Sequence, residues 1–248
     1  KAEAYEGELE TLSYIGSFSV GGNNALVLGV DSEDQRDEIN NADQSQTGVY
    51  VEWQGQFSDQ WSYSAGVRHD DNDVFGEYTS YRLTTAFVQP LNDGHFLKYK
   101  ASYGTGFRAP SLYEQWYNQD SGWAYGVAAN TQLKEETSEG FDVGVELHTA
   151  AGHLFELVYF SQEVDDVIDF DQANWSGYVQ IEGLSRSKGV ELNTQLVLSE
   201  NLSLVANATY NDASTATGEQ RMRRPRTVLN VGLQSMLFND TVRVNADI

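Results

Sequence analysis

Two kinds of connection alternate along this chain, and their alternation constrains the fold more than any single segment does. Short turns sit at Gly21–Asn24, Ser58–Gln60, Pro90–Gly94, Thr149–Gly152, Ser199–Asn201 and Asn239–Thr241. Between them lie longer polar stretches at 32–46, 72–78, 105–137, 163–176 and 212–224. The segments they join alternate with period two. Phe141, Val143, Val145 and Leu147 oppose Asp142, Gly144, Glu146 and His148. Val49, Val51, Trp53 and Phe57 oppose Glu52, Gln54 and Gln56, and Val190, Leu192, Leu196 and Leu198 oppose Glu191, Asn193 and Gln195. Helical periodicity is nearly missing, so the pattern predicts about twelve strands. Segment 177–188 is expected to run straight into 189–198 as one long strand.

A sequential array of hairpins puts every short turn at one end and every long loop at the other. That asymmetry, with strands of about ten residues and one apolar face, matches a transmembrane β-barrel. Closed or paired sheets satisfy their backbone groups in lipid, which open loops cannot do. The polar face carries Arg68, Arg82, Lys98, Lys100, Glu146 and Glu191, which fit a wet lumen. Aromatics gather near strand ends: Trp53, Phe57, Trp61 and Tyr63 around one turn, and Phe96, Tyr99 and Tyr103 along one strand. Girdles at the headgroup level account for them, as does the plain β-propensity of aromatic residues. The competing architecture is a soluble β-sandwich, an adhesin or carbohydrate-binding module, which would alternate equally and stack its loop aromatics on sugars.

Composition narrows the function classes. The 248 residues include 37 acidic and 15 basic side chains, a formal charge of −22, which argues against nucleic acid as a partner. With no cysteine there is no disulfide scaffold, thiolate metal site or cysteine nucleophile. No G-x-S-x-G occurs and no Ser-His-Asp set assembles by spacing, so the chain does not read as an enzyme. His69, His95, His148 and His153 show no metal-ligand spacing, although His148 and His153 flank one turn. Asp31, Asp34, Asp37 and Asp43 are crowded enough to hold Ca²⁺, which takes six to eight oxygens. Their spacing is not that of an EF-hand, and a solvated acidic loop explains them as well. No other cofactor is expected.

The longest connection, 105–137, carries Tyr113, Trp116, Tyr117, Trp123 and Tyr125, and a neighbouring outer connection carries Trp175 and Tyr178. Such rings can grip a bulky, partly apolar small molecule, or they can pack against one another. Arg108, at the lumen edge, needs a carboxylate partner, and Glu136 is the expected one.

The stretch "SYGTGFRAPSLYEQWY" (102–117) resembles a segment of TonB-dependent outer-membrane receptors in which a strand enters an outer loop through F-[RK]-A-P-[ST], here Phe107 to Ser111. "NTQLKEETSEGFDVGVEL" (130–147) resembles the family's N-P-x-L-x-P-E-x-S-x-x-x-E-x-G; Asn130, Leu133, Lys134, Glu136, Ser138, Gly144 and Glu146 fit. Thr131 and Glu135 replace two prolines, and Asp142 stands for the strand glutamate. "VYFSQEVDDVIDFD" (158–171), "GYVQIEGLSRSKGVEL" (177–192) and "RRPRTVLNVGL" (223–233) resemble the hairpins that follow. Within the family, "VRHDDNDVFG" (67–76) and the short loops are most similar to cobalamin transporters of the vitamin B12 type, with siderophore and colicin-receptor-like members as close competitors.

The resemblance implies an all-β, antiparallel up-and-down transmembrane barrel, with about twelve of 22 strands in residues 1–248 as a partial barrel domain. The plug, first strands and last strands are not seen in the sequence. It also implies residence in the bacterial outer membrane, contact with lipid, and ligand capture at the outer loops, the ligand being cobalamin or a ferric siderophore. Import would be driven by the TonB complex acting through the plug.

Overall fold

The computed structural model describes residues 7–237 and 242–247. Eight strands follow in order: β1 (Gly7–Ser19), β2 (Ala25–Asp37), β3 (Ala42–Ser58), β4 (Trp61–Asn72), β5 (Gly76–Pro90), β6 (Phe96–Arg108), β7 (Glu136–His148) and β8 (Leu154–Asp165). A side hairpin comes next, β9 (Val167–Phe170) and β10 (Tyr178–Ile181). Four more strands complete the chain: β11 (Ser185–Ser199), β12 (Leu202–Ser214), β13 (Thr227–Leu237) and β14 (Val242–Asp247). Two short helices, α1 (Leu112–Gln119) and α2 (Gly126–Asn130), lie between β6 and β7. All strands except β9 and β10 form one 12-stranded antiparallel sheet in sequence order, with β11 beside β8 and with β1 and β14 outermost.

One sheet, wound strand after strand, is incompatible with the β-sandwich alternative, which needs two sheets facing each other across a shared core. The burial pattern agrees. Among the described residues the buried apolar side chains are Ala128, Leu133, Ile168 and Ala213, all at the long-loop end. The sheet itself has no apolar interior. Its apolar side chains line up in cross-strand rows on the outer face instead. Val143, Tyr159, Val190 and Tyr210 are neighbours on four adjacent strands and are 42–52% exposed. Phe87, Tyr99, Val145, Leu157 and Leu192 form a parallel row nearer the short turns. Continuous apolar surface on this scale needs an apolar solvent, and hydrocarbon supplies it.

The opposite face is polar and internally paired. Lys98 and Lys100 reach Glu146 Oε1 at 3.2 and 3.1 Å, Lys100 also pairs with Glu156, and Asn193 donates to Glu156 at 2.9 Å. A hollow of about 860 Å³ follows this face from β2 to β11. The outer face near the short turns carries a linked aromatic band. Trp53 Nε1 donates to the Tyr63 hydroxyl at 3.1 Å, Tyr63 stacks on Phe57 at 4.2 Å, and Trp61 meets Phe57 and Phe87. Rings with one polar end suit the boundary between hydrocarbon and water.

Three sequence expectations change. Stretch 32–46 is not a loop: β2 continues to Asp37 and β3 starts at Ala42, leaving 38–41 as a turn. Stretch 72–78 likewise shrinks to 73–75. Hydropathy alternation fades where a strand leaves lipid, but backbone pairing does not, so polar strand ends read as loops. Segment 177–188 is divided: β10 pairs with β9, Gly183 takes φ +104°, and β11 begins at Ser185. The expected turn at Asn239–Thr241 lies outside the described residues.

Candidate functional site

The two long connections between β6 and β7 and between β8 and β11 fold together as a crown over the long-loop end of the sheet. Its first part begins with a helix start that the chain encodes locally. Ser111 Oγ accepts from the Glu114 N–H at 3.3 Å, and the Glu114 carboxylate accepts from the Ser111 N–H at 2.7 Å. This reciprocal capping box fixes the first turn of α1. Helix α1 then reaches across three strands: Gln115 Nε2 donates to Gln44 Oε1 on β3 at 3.1 Å. The side hairpin locks on next, through Asn118, which is 5% exposed. Its Nδ2 donates to the Tyr178 carbonyl at 2.7 Å, and its Oδ1 accepts from the Tyr178 N–H at 2.9 Å. Gly177, at φ +130°, makes this approach feasible, since a Cβ there would lie 2.7 Å from Asn118 Oδ1.

Six of the seven ring residues expected from the sequence come together in this crown. Tyr117 is central, with ring centroids 5.8 Å from Trp123 and 5.6 Å from Tyr178. Trp116 meets Trp123 at 5.5 Å, and Tyr113 meets Trp116 at 5.6 Å and Tyr178 at 6.2 Å. Phe170, which the sequence reading passed over, completes the set by joining Tyr117, Tyr178 and Trp175 at 5.6, 5.3 and 5.9 Å. Its alternation with Ile168 on β9 was the available signal. Tyr125 stands apart as a brace: its hydroxyl bonds the Asn174 carbonyl, and its N–H donates to the Ser176 carbonyl at 3.0 Å. The rings therefore pack on one another and still present surface. Trp123 is 61% exposed, Tyr125 52% and Trp175 71%.

Arg108 anchors the crown to the sheet. Its Nη2 donates to Glu136 Oε1 at 2.8 Å and its Nη1 to Glu114 Oε2 at 3.1 Å. Glu136 Oε1 also accepts from the Ile168 N–H at 2.7 Å, so one carboxylate joins β6, β7 and β9. Burial pushes the Glu136 carboxyl up, but Arg108 and the Ile168 N–H outweigh it and leave it below its ordinary value. The hydrogen bond to Glu136 chiefly raises Arg108 above the usual guanidinium range, with Glu114 adding to it. Burial raises the Tyr178 phenol, with Tyr113, Glu114, Tyr117 and Asp169 adding to it. The pair Arg108–Glu114 was not anticipated, although Ser111-x-x-Glu114 is the capping signature that places it.

The four aspartates considered for Ca²⁺ do not converge. Strand alternation along β2 sends Asp31 and Asp37 to one face and Asp34 to the other, and Asp43 lies opposite Arg36 on the Asp34 face. Three of them have separate partners: Asp31 pairs with Arg68, Asp37 accepts from Asn40, and Asp34 from Ser45. Among the described residues no group of three or more His, Cys, Asp or Glu is placed to hold a metal ion. The residues present therefore do not fit a calcium site.

Comparison with known proteins adds the family. Residues 6–242 match the model described as TonB dependent receptor-like, beta-barrel. A mutant of the ferric enterobactin receptor PfeA from Pseudomonas aeruginosa superimposes with a TM-score of 0.74 at 19% identity, over 97% of this chain and 41% of that one. The siderophore receptor PirA from Pseudomonas aeruginosa gives 0.74 at 21% identity, over 95% and 44%. The ferric-catecholate import receptor Fiu from K12 E. coli gives 0.67 at 12% identity, over 98% and 44%. The chain thus spans less than half the length of these structures.

Proposed function

This chain belongs to the TonB-dependent receptor family of β-barrels, and on that premise we propose that it is the middle-to-late part of a 22-strand outer-membrane import receptor. Residues 1–248 are read as a partial barrel domain, the plug and remaining strands belonging to the rest of a longer protein. The barrel spans the outer membrane and presents the crown outward. Ligand binds there, and the TonB complex, acting through the plug, energises import.

The observation that carries this reading is the pairing of a lipid-facing apolar sheet with a folded aromatic crown at one end only. A structural barrel would need the first and not the second. Tyr113, Trp116, Tyr117, Trp123, Trp175 and Tyr178 are read as the ligand-facing set. The similar structures described above are siderophore receptors, which favours an iron chelate over the cobalamin suggested by residues 67–76. No catalytic role is assigned to the chain.

Growth rescue of a receptor-deficient strain by the full-length protein tests this. We expect rescue by a ferric siderophore under iron limitation, and its loss when TonB is deleted. Rescue restricted to cobalamin-limited growth would reassign the ligand, and rescue independent of TonB would overturn the mechanism.

A further inference from the structure

Six of the chain's 15 basic side chains gather at one corner of the sheet, on β11 and on the return from β12 to β13: Arg186, Lys188, Arg221, Arg223, Arg224 and Arg226. Residues 212–226 set four arginines against two carboxylates, Asp212 and Glu219, in a chain whose formal charge is −22. The register fixes their height. Val190 pairs with Tyr210 and Tyr210 with Thr227, in the last lipid-facing row that carries apolar side chains on β11 and β12. Lys188 lies on the same face as Val190, since alternation repeats every two residues, and stands opposite Asp212 about 7 Å further out. At that height the chain returning to β13 swells. The Arg221 N–H donates to the Ala213 carbonyl at 2.9 Å and the Asn211 N–H to the Arg226 carbonyl at 2.8 Å, so residues 222–225 stand opposite Asp212 alone. Arg223, at φ +60°, and Pro225 turn this bulge out of the ladder. Met222 within it is 80% exposed, an apolar side chain flanked by arginines.

The six charges divide. Arg186 donates to Glu163 at 2.8 Å, Arg226 donates to Gln220 at 2.8 Å, and Arg221 acts on Glu136 at the base of the crown. Lys188, Arg223 and Arg224 are exposed, and among the described residues no carboxylate lies within ion-pair distance of them. They stand just beyond the hydrocarbon-facing rows, at the depth of lipid headgroups. Guanidinium forks match phosphate oxygens, and a lysine ammonium adds a point charge. We infer that Lys188, Arg223 and Arg224 form a docking surface for phosphate groups on the headgroups of outer-leaflet lipid. This rests on the outer-membrane reading and adds a lipid partner at its boundary. The surface continues the lipid-facing rows of β11 to β13 directly, with Met222 reaching toward the apolar side and the three cations toward the phosphates.

The test uses the full-length receptor in nanodiscs of equal parts dioleoylphosphatidic acid and dioleoylphosphatidylcholine, two lipids with the same acyl chains. Native mass spectrometry after release from the discs reads the ratio of the two lipids retained. Phosphatidic acid should be enriched roughly fivefold. Enrichment should fall several-fold in Lys188→Gln/Arg223→Gln/Arg224→Gln and in high salt. Inorganic phosphate at matched ionic strength should leave it unchanged. No enrichment, or enrichment that survives the triple variant, overturns the inference. Displacement by inorganic phosphate would make this a free-anion site and reject the membrane assignment. Loss of ferric-chelate uptake in the triple variant with the lipid ratio unchanged would give the bulge to the cargo instead, and would equally reject it. Failure of the barrel reading shows separately: the receptor would not enter the discs, whereas failure of this inference leaves it inserted without lipid preference.

Discussion

Asn118 grips both sides of the Tyr178 backbone, donating to its carbonyl at 2.7 Å and accepting from its N–H at 2.9 Å. One buried amide thereby makes two loops, 60 residues apart in sequence, a single unit. Replacing Asn118 by Leu removes both bonds and strands two backbone groups that water cannot easily reach, at a cost of about 1–3 kcal/mol each at most. The damage should stay local, because the sheet does not depend on the crown. Hydrogen exchange in full-length Asn118→Leu should rise across 167–181 and remain unchanged in β3 to β5. Unchanged exchange at 167–181 would show that other contacts hold the hairpin.

The Arg108–Glu136 pair should fasten the crown above the ordinary carboxylate range and release it in acid. Glu136 is held below its ordinary value of 4.5 in the folded chain. The unfolded chain therefore binds the proton first, and the pair's contribution is complete above about 4.5 and lost as pH falls through the lower folded value. Glu136→Gln should remove this acid dependence, and Arg108→Ala should lower crown stability by about 1–3 kcal/mol. Limited proteolysis within 109–135 against pH measures both. A crown equally protected at low pH in wild type and Glu136→Gln would reject the linkage.

Gly48 makes room for Arg68. A Cβ at Gly48 would lie 1.9 Å from Arg68 Nη2, and that guanidinium serves Asp70, whose side chain is wholly buried, as well as Asp31. Removing Arg68 leaves Asp70 buried without its cation, and such losses cost about 3–5 kcal/mol. Gly48→Ala should act through the same cluster by displacing the guanidinium. The double variant Gly48→Ala/Arg68→Ala should then lose less than the sum of the two single variants, the remaining cost of Gly48→Ala being the Cβ's approach to Asp70 Oδ1 at 2.6 Å. The temperature at which the folded band is lost on unheated gels reads this directly, and additive shifts would refute the shared mechanism.

Much of the sheet could be read from the sequence because lipid imposes alternation. Residues 141–148 show their faces in their order, and β7 pairs with its neighbours as that order requires. The polar ends of β2 and β3 carried no such signal, since outside lipid both faces of a strand can be polar. The ring residues of the crown were legible as a group because so many aromatics on loops need an explanation. Their assembly was not, because it depends on Asn118, Gly177 and Phe170, which bring distant segments together and have no local pattern. Glu114 was legible in principle, as the fourth residue of a capping box beginning at Ser111.

The central claim is that apolar side chains of this sheet face hydrocarbon while their neighbours in sequence face water. A spin-label accessibility scan of β7, residues 140–147, in the full-length receptor reconstituted into bilayers tests it most directly. Labels at 141, 143, 145 and 147 should be reached by oxygen and shielded from a water-soluble nickel complex. Labels at 140, 142, 144 and 146 should show the reverse, giving two period-two profiles out of phase. Equal access of the nickel complex to 141, 143, 145 and 147 would place that face in water and contradict the account.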